Sequence, residues 1–174
     1  MNPQIGYCQG MNFMVSIILE ITSNNEHYSF LIFQYFLMAK RLNIESVFMQ
    51  GLPELSLMNY TFERLIQYFS PDVFDHLDEI DMRTEYFTFK WCLTLYSCFL
   101  PAEVTIPVFD LFILEGWPTI YEVGISIIKN FLGPKLIQME SMMDVSQYFR
   151  DDMRKIETFK AEDIRRILFG THKL

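Results

Sequence analysis

Gln9 is the side chain whose setting in this sequence best suits chemistry, because it stands on a short polar loop between two glycines. The loop reads Ile5-Gly6-Tyr7-Cys8-Gln9-Gly10-Met11-Asn12 and leads directly into an apolar segment with helical character. Gly6 and Gly10 give the backbone conformational freedom and permit close approach on either side of Gln9. An amide placed in this way either bonds its own neighbours or orients a water molecule for attack. For an isolated glutamine between glycines, the first interpretation is the more common one.

The residues near Gln9 are weaker candidates for a catalytic role. Cys8 is interpreted as a small buried thiol and not as a nucleophile, because no histidine is recognisable as its partner. Asn12 is placed where it could cap the helix that follows.

Other reaction types find little support in the sequence. The three histidines, His27, His76 and His172, are isolated from His-x-x-x-His or Cys-x-x-Cys spacing, so no metal site is predicted. A Gly-x-x-x-x-Gly-Lys loop is also missing from the sequence, which gives no sign that this chain binds a nucleotide itself. The acidic groups at 78–81 and 151–152 resemble solvated helix faces more than tuned acid and base pairs.

The charge and the cysteines limit the classes of partner. A formal net charge of −8 disfavours DNA and RNA, which need clustered Lys and Arg. The sequence has three cysteines, Cys8, Cys92 and Cys98. An odd number without the spacing of a disulfide framework predicts a reducing, cytoplasmic setting. We identify no stretch of ~20 apolar residues and therefore expect no integral membrane segment, so that any peripheral association with endomembranes would come through a partner.

The composition predicts a single all-α domain over residues 1–174. The chain is 51% hydrophobic, with seventeen Phe and eleven Met against seven Gly and seven Pro. Large side chains with few turn residues favour a helical core over a turn-rich β architecture. No internal repeat or convincing strand-like alternation is present.

Helix boundaries can be predicted in the first half of the chain. A first helix ends near residues 23–25, where polar residues favour a turn. A second helix over Glu26 to Leu42 is apolar nearly all round, which predicts a buried and central position. Pro53 begins an amphipathic helix with apolar residues at three- and four-residue spacing.

Helix boundaries in the second half depend on prolines and caps. Ser70 and Thr84 are predicted N-caps, and the helix after Thr84 is expected to continue to about residue 100. The next helix is expected to begin near Thr105, so that Pro107 falls in its first turn, and to end at Gly116. Pro118 begins another helix that stops at residues 133–134, and the charged tail from residue 144 has a helical pattern.

Three segments together resemble the TBC domain, the helical module that activates Rab-type GTPases. They are the Gln9 loop, Lys90-Trp91-Cys92-Leu93-Thr94-Leu95, and Asp110-Leu111-Phe112-Ile113-Leu114-Glu115-Gly116-Trp117. The resemblance covers nearly the whole chain and implies a multi-helix TBC (Rab-GAP) fold that lacks its N-terminal helices. It also implies a GTPase-activating protein that regulates vesicle trafficking. In this sequence Phe109 and Pro107 depart from the family pattern beside Asp110.

The resemblance also implies site residues and partners. Gln9 would be the catalytic glutamine finger, and Tyr7, Cys8, Gly10 and Asn12 would meet the switch region of a Rab-family GTPase. The partner would hold GTP and Mg²⁺, so this chain would need no cofactor and would not be an enzyme on its own. Two further positions would support the fingers, namely Trp91, which helical spacing also predicts to be core, and Asp110, through an ion pair. For Asp110 an exposed helix carboxylate is the equally weighted alternative.

The family's arginine finger comes from an Ile-x-x-Asp-x-x-Arg-Thr segment upstream of the glutamine loop. Two internal segments resemble that segment in part, at 80–84 and 151–154, and both are interpreted as charge pairs at helix ends. The arginine is therefore expected from sequence outside these 174 residues.

The alternative function is a catalytically inactive module that binds a GTPase or scaffold partner. A helical scaffold with a coincidental loop is a third possibility. Because first helices would otherwise cover the 26–42 helix, we expect this chain alone to be prone to aggregation.

Overall fold

A computed structural model of the chain describes residues 6–152, and all regular elements within that range are helices. The α-helices are α1 (Met11–Ile21), α2 (Glu26–Met38), α3 (Ile44–Val47), α4 (Pro53–Phe69), α5 (Pro71–Glu79), α6 (Glu85–Thr94), α7 (Ala102–Glu115), α8 (Trp117–Ile127), α9 (Gly133–Leu136) and α10 (Met142–Gln147). Two π-helical turns, Ile128–Leu132 and Tyr148–Asp152, follow α8 and α10. The predicted all-α class is confirmed.

Helices α4, α6 and α8 pack on one another and build the centre of the core. The apolar stripe of α4 supplies Leu55, Met58, Phe62 and Ile66, all buried. This is the burial that its three- and four-residue spacing predicted. Helix α1 packs against α2, α6 and α7. The loop at its N-terminus is therefore attached to a helix that is part of the main helical core.

The prediction that the second helix is buried and central is wrong. Helix α2 ends at Met38 and buries only Ser29 and Phe36 among its own residues. Four large apolar side chains of α2 are about half exposed, namely Tyr28, Phe30, Leu31 and Tyr35. Apolar residues all round a helix show that it can be covered on every side, but they do not supply the neighbours that cover it.

Helix α6 is shorter than predicted, because the chain turns sharply after Thr94. Leu95 and Tyr96 both adopt left-handed backbone conformations, with φ of 47° and 65°. Such conformations cost roughly 1–2 kcal/mol per non-glycine residue and stop the helix. Burial of both side chains offsets that cost. Thr84 does precede α6, but its side chain makes no capping hydrogen bond, so the predicted cap is wrong in detail.

Two other helix-end predictions are also wrong. Helix α7 begins at Ala102, so Pro107 lies in its interior. The carbonyl that Pro107 leaves without a donor belongs to Glu103, an exposed residue, so water can satisfy it. Residues 133–134 do not stop α8, because the chain continues through a π-helical turn into α9. The wider π-helical turn leaves space for the ring of Pro134, which would clash with a backbone carbonyl in the preceding turn of a regular α-helix.

Ser70 precedes α5 as predicted, but its side chain makes no capping hydrogen bond, and its hydroxyl is buried without a partner within the described range. The charged tail is helical from Met142 to Asp152, and the rest of that prediction falls on residues outside the described range. None of the helices within residues 6–152 has the length and apolar character that crossing a membrane requires.

Candidate functional site

The Gln9 loop lies at the N-terminal end of α1 and presents its glutamine to solvent. Gln9 and Tyr7 are exposed, whereas Gly10 directly after them is buried. The backbone N–H of Met11 donates to the Cys8 carbonyl at 3.2 Å, which turns the chain into α1. The exposed amide therefore stands on a loop whose far end is anchored in the protein.

Gly10 anchors the loop because it is pressed against the end of α6. Its φ of 117° lies in the region that favours glycine. A Cβ at this position would stand 3.0 Å from Cγ of Leu93 and 3.5 Å from Cγ2 of Thr94. Leu93 and Thr94 thus form the floor of the loop. The second segment of the resemblance therefore lies against the glutamine loop.

A second anchor comes from within the loop. Oδ1 of Asn12 accepts hydrogen bonds from the backbone N–H of Gly10, at 3.3 Å, and from the Tyr7 hydroxyl, at 3.4 Å. Gly10 is the N-cap residue of α1, and its own side chain cannot cap. Asn12 reaches back from inside the first turn to a backbone donor, as the acidic residue of a capping box does. The predicted helix cap at Asn12 is therefore a backward bond across the loop.

Cys8 is partly buried, and its thiol contacts the carbonyl of Gln9 at 3.7 Å. Burial raises the pKa of the Cys8 thiol above its ordinary value. A raised pKa keeps the thiol protonated at neutral pH, where the thiolate is the reactive form. This chemistry supports the interpretation that Cys8 is not a nucleophile.

Trp91 lies behind the floor of the loop and is 1% exposed. Its indole contacts four aromatic rings at centroid distances of 5.0 to 6.0 Å, those of Phe62, Phe87, Tyr96 and Phe99. The Tyr96 hydroxyl donates to the Ile120 carbonyl at 2.6 Å, and burial raises its pKa well above the ordinary value. Trp91 is therefore a core residue, as its helical spacing predicted, and the supporting role that the resemblance implied for it stays a prediction.

Asp110 is not brought to the Gln9 loop. It lies exposed on α7 beside Ile18 and Ile21 of α1. Ile18 is nine residues beyond Gln9, which corresponds to about 13 Å along the axis of α1. The ion pair that the resemblance implied for Asp110 stays a prediction.

The Glu115-Gly116-Trp117 element has a structural role. Nε1 of Trp117 donates to the Leu42 carbonyl at 2.8 Å, which ties the start of α8 to the chain after α2. The Trp117 ring also meets Phe112 edge to face, with centroids 5.1 Å apart. The third segment of the resemblance therefore joins α7, the start of α8 and the chain after α2.

The arginine of the 80–84 segment is remote from the glutamine. Arg83 is exposed between α5 and α6 and lines a cleft of about 390 Å³ with acidic residues such as Glu63 and Asp78. It is ten residues from Leu93, roughly 15 Å along the direction of α6. Arg154 of the other segment lies outside the described residues. Within the described part of the chain, no group of three or more His, Cys, Asp or Glu could hold a metal ion.

Comparison with known proteins identifies the class of module that carries this loop. The Rab-GTPase-TBC domain family model matches residues 1–137. The chain belongs to the Rab-GTPase-TBC domain family.

Among individual relatives, the human "Ecotropic viral integration site 5 protein homolog" is 29% identical over 141 residues, which cover 80% of this chain and 17% of the relative. The "Rab GTPase-activating protein eat-17" of Caenorhabditis elegans is 25% identical over 162 residues, covering 92% of this chain and 18% of the relative. A solved Chlamydomonas flagellar RabGAP TBC domain shares the fold, with a TM-score of 0.78 and 20% identity over 98% of this chain and 55% of the solved chain. The chain thus spans less than a fifth of these curated relatives.

Sequence reasoning missed the floor residues Leu93 and Thr94 as individuals, and it missed the backward bond of Asn12. Leu93 and Gly10 are 83 positions apart, and no spacing rule connects such residues. A signal for Asn12 was present, because a polar residue two positions after a glycine N-cap is within reach of that glycine's N–H.

Proposed function

We propose that this chain acts on a Rab-type GTPase and promotes hydrolysis of its bound GTP, with Gln9 as the glutamine supplied in trans. The partner class rests on membership of the Rab-GTPase-TBC family and on the nematode relative, which is named as a Rab GTPase-activating protein. The observation that carries the role of Gln9 is an exposed amide on a loop anchored at Gly10. An exposed amide can enter a partner's active site, and an anchored loop limits the entropy lost when it does so.

The chemistry of an amide suits this role. The carbonyl oxygen of Gln9 would accept a hydrogen bond from the attacking water, and its NH₂ group would donate to an oxygen of the transferring phosphoryl group. GTP and Mg²⁺ would both be held by the partner. The exposed Tyr7 and the partly buried Cys8 would meet the partner's switch region beside the glutamine.

The cation that stabilises phosphoryl charge is not assigned to a residue of this chain. Arg83 is at the far end of α6 from the loop floor, so it is a poor candidate. An arginine of this kind contributes about 10³- to 10⁵-fold to such reactions. The second candidate function is therefore a TBC module that binds a GTPase or scaffold partner without accelerating hydrolysis. Regulation of vesicle trafficking, in the cytoplasm and at membranes reached through the GTPase, is the setting proposed for both.

Single-turnover GTP hydrolysis by a panel of Rab GTPases tests the proposal. We expect the chain to accelerate hydrolysis by at least one member, and Gln9→Ala to reduce that acceleration by about 10²- to 10³-fold, as for other groups that stabilise a transition state. Gln138→Ala is the matched control, because Gln138 is an exposed glutamine after α9. Full acceleration by Gln9→Ala would contradict the role of Gln9.

Binding separates the two candidate functions. Affinity is measured for each GTPase loaded with a GTP analogue and with GDP plus aluminium fluoride, which mimics the transferring phosphoryl group. An activator binds the second form more tightly, because catalysis requires preferential binding of the transition state. Equal binding of both forms without acceleration would support the interaction module. Binding of neither form by any member of the panel would contradict both candidates.

A further inference from the structure

We propose that Asn12 is a positioning residue that holds the Gln9 loop in its working conformation through its side-chain oxygen. Two donors converge on Oδ1 of Asn12, the N–H of Gly10 and the hydroxyl of Tyr7. These donors lie on either side of Gln9 in the sequence. One acceptor atom therefore closes the loop around the glutamine, and the inference rests on the function proposed above for Gln9.

The loop needs such closure because its entry is loosely held. Gly6 adopts φ of 51°, none of the described residues lies within 4 Å of the position that its Cβ would take, and Tyr7 is 75% exposed, so the described part of the chain packs little against either residue. The floor at Leu93 and Thr94 restrains only the exit, at Gly10. The Tyr7–Asn12 bond restrains the entry, and the Gly10–Asn12 bond ties the entry and the exit to the same side chain.

The position from which the Gln9 side chain extends depends on this closure. Gln9 is exposed, so its backbone, and not packing around its side chain, sets the point from which the amide reaches toward a partner. Catalytic groups act only when they are held close to the productive geometry, and a displacement of about 1 Å can cost 10²-fold in rate. Asn12 therefore acts through Gln9, which differs from the direct contact with a partner that the family resemblance implied for it.

This difference predicts how kinetics respond. We expect Asn12→Ala to lower the kcat for stimulated GTP hydrolysis by about 10- to 100-fold, with less than a twofold change in the KM for the GTPase. Asn12→Asp is expected to recover most of the lost rate, because a carboxylate oxygen accepts the same two hydrogen bonds. Ser16→Ala is the matched control at an exposed position of the same helix and is expected to match the unmodified chain.

A double-mutant cycle separates positioning from contact. If Asn12 acts only through the glutamine, Asn12→Ala costs nothing further in a Gln9→Ala background. A full additional loss in that background, or an effect confined to KM, would overturn the inference while leaving the role of Gln9 intact. An unchanged rate for Gln9→Ala alone would instead contradict the proposed function.

Amide hydrogen exchange tests the closure without relying on activity. In the unmodified chain the Gly10 N–H is partly buried and bonded to Asn12. We expect Asn12→Ala to speed exchange at Gly10 by tenfold or more, with no comparable change for Ser16→Ala. Unchanged exchange at Gly10 in Asn12→Ala would show that the bond does not hold the loop, and the inference would fall whatever the hydrolysis assays give.

Discussion

The two ends of α1 face different surroundings. The N-terminal end lies against residues that hold the Gln9 loop, whereas the C-terminal end borders an open apolar groove. At the N-terminal end, Gly10 rests on Leu93 and Thr94, and Trp91 behind them is fully enclosed. At the C-terminal end, α1, α2 and α7 enclose an open apolar groove of about 340 Å³. Its walls are Ile18, Ile21, Leu31, Ile32, Tyr35, Phe36, Phe109, Asp110 and Ile113. We refer to this feature as the α1–α2–α7 groove.

Apolar composition is similar in both regions, but the free energy that it contributes differs. Burial stabilises by about 25 cal/mol for each Å² of apolar surface removed from water. Trp91 and the rings around it obtain that contribution, whereas Leu31 and Tyr35 remain about half exposed. Leu31 and Tyr35 therefore stabilise the fold less than Trp91 does, and their side of the groove is a surface available for association.

The largest expected effect is on the enclosed side. Trp91→Ala removes the ring that contacts four aromatic neighbours, and we expect it to lower the free energy of unfolding by about 3–5 kcal/mol. Tyr35→Ala, at the groove, is the comparison and should change stability by about 0.5 kcal/mol or less. Urea denaturation followed by circular dichroism measures both. Equal losses would show that the enclosed region and the groove contribute alike to stability.

An intermediate effect is expected where the loop meets its floor. Gly10→Ala introduces a Cβ in contact with Leu93, at a backbone φ that L-residues rarely adopt. Gly51→Ala is the matched control, because Gly51 has φ of 83° with open space around it. Both variants bear backbone strain of roughly 1–2 kcal/mol, and overpacking should make Gly10→Ala more destabilising by about 1 kcal/mol.

The same pair also bears on function. Gly10→Ala should reduce stimulated GTP hydrolysis as well, because a displaced Gly10 displaces Gln9, whereas Gly51→Ala should not. If denaturation and hydrolysis gave the same values for the two variants, the close contact between Gly10 and the floor would not be restraining the loop.

The smallest effect on stability is expected at the groove, where association should change instead. Replacing Leu31 and Tyr35 together by lysine should alter the free energy of unfolding by about 0.5 kcal/mol or less and should reduce self-association, measured by light scattering against concentration. The control replaces Leu57 and Tyr60, exposed apolar residues of α4, by lysine. An equal reduction in both variants would mean that added charge, and not the groove, governs association. A monodisperse unmodified chain would contradict the expected aggregation.

Much of the fold follows from local rules that the sequence states directly. Pro53 and Pro71 begin helices, Gly116 ends one, and the stripe of α4 faces the core, as periodicity predicted. The helix ends that were missed share a cause. The π-helical turn before Pro134 and the left-handed residues after Thr94 are set by tertiary contacts, which override local propensity.

The sequence by itself determined the helical class, the family to which the chain belongs, and the choice of Gln9, between two glycines, as the candidate residue. Composition, periodicity and motif residues can all be read from the sequence without the tertiary structure. Only the tertiary structure decided that Gly10 lies on Leu93 and Thr94, that Asn12 reaches back across the loop, and that α2 leaves its apolar face open. The physical reason is that closeness between residues 83 positions apart, and the exposure of an apolar helix, depend on how the whole set of helices packs. Sequence periodicity describes the faces of a helix but does not specify which helix covers them.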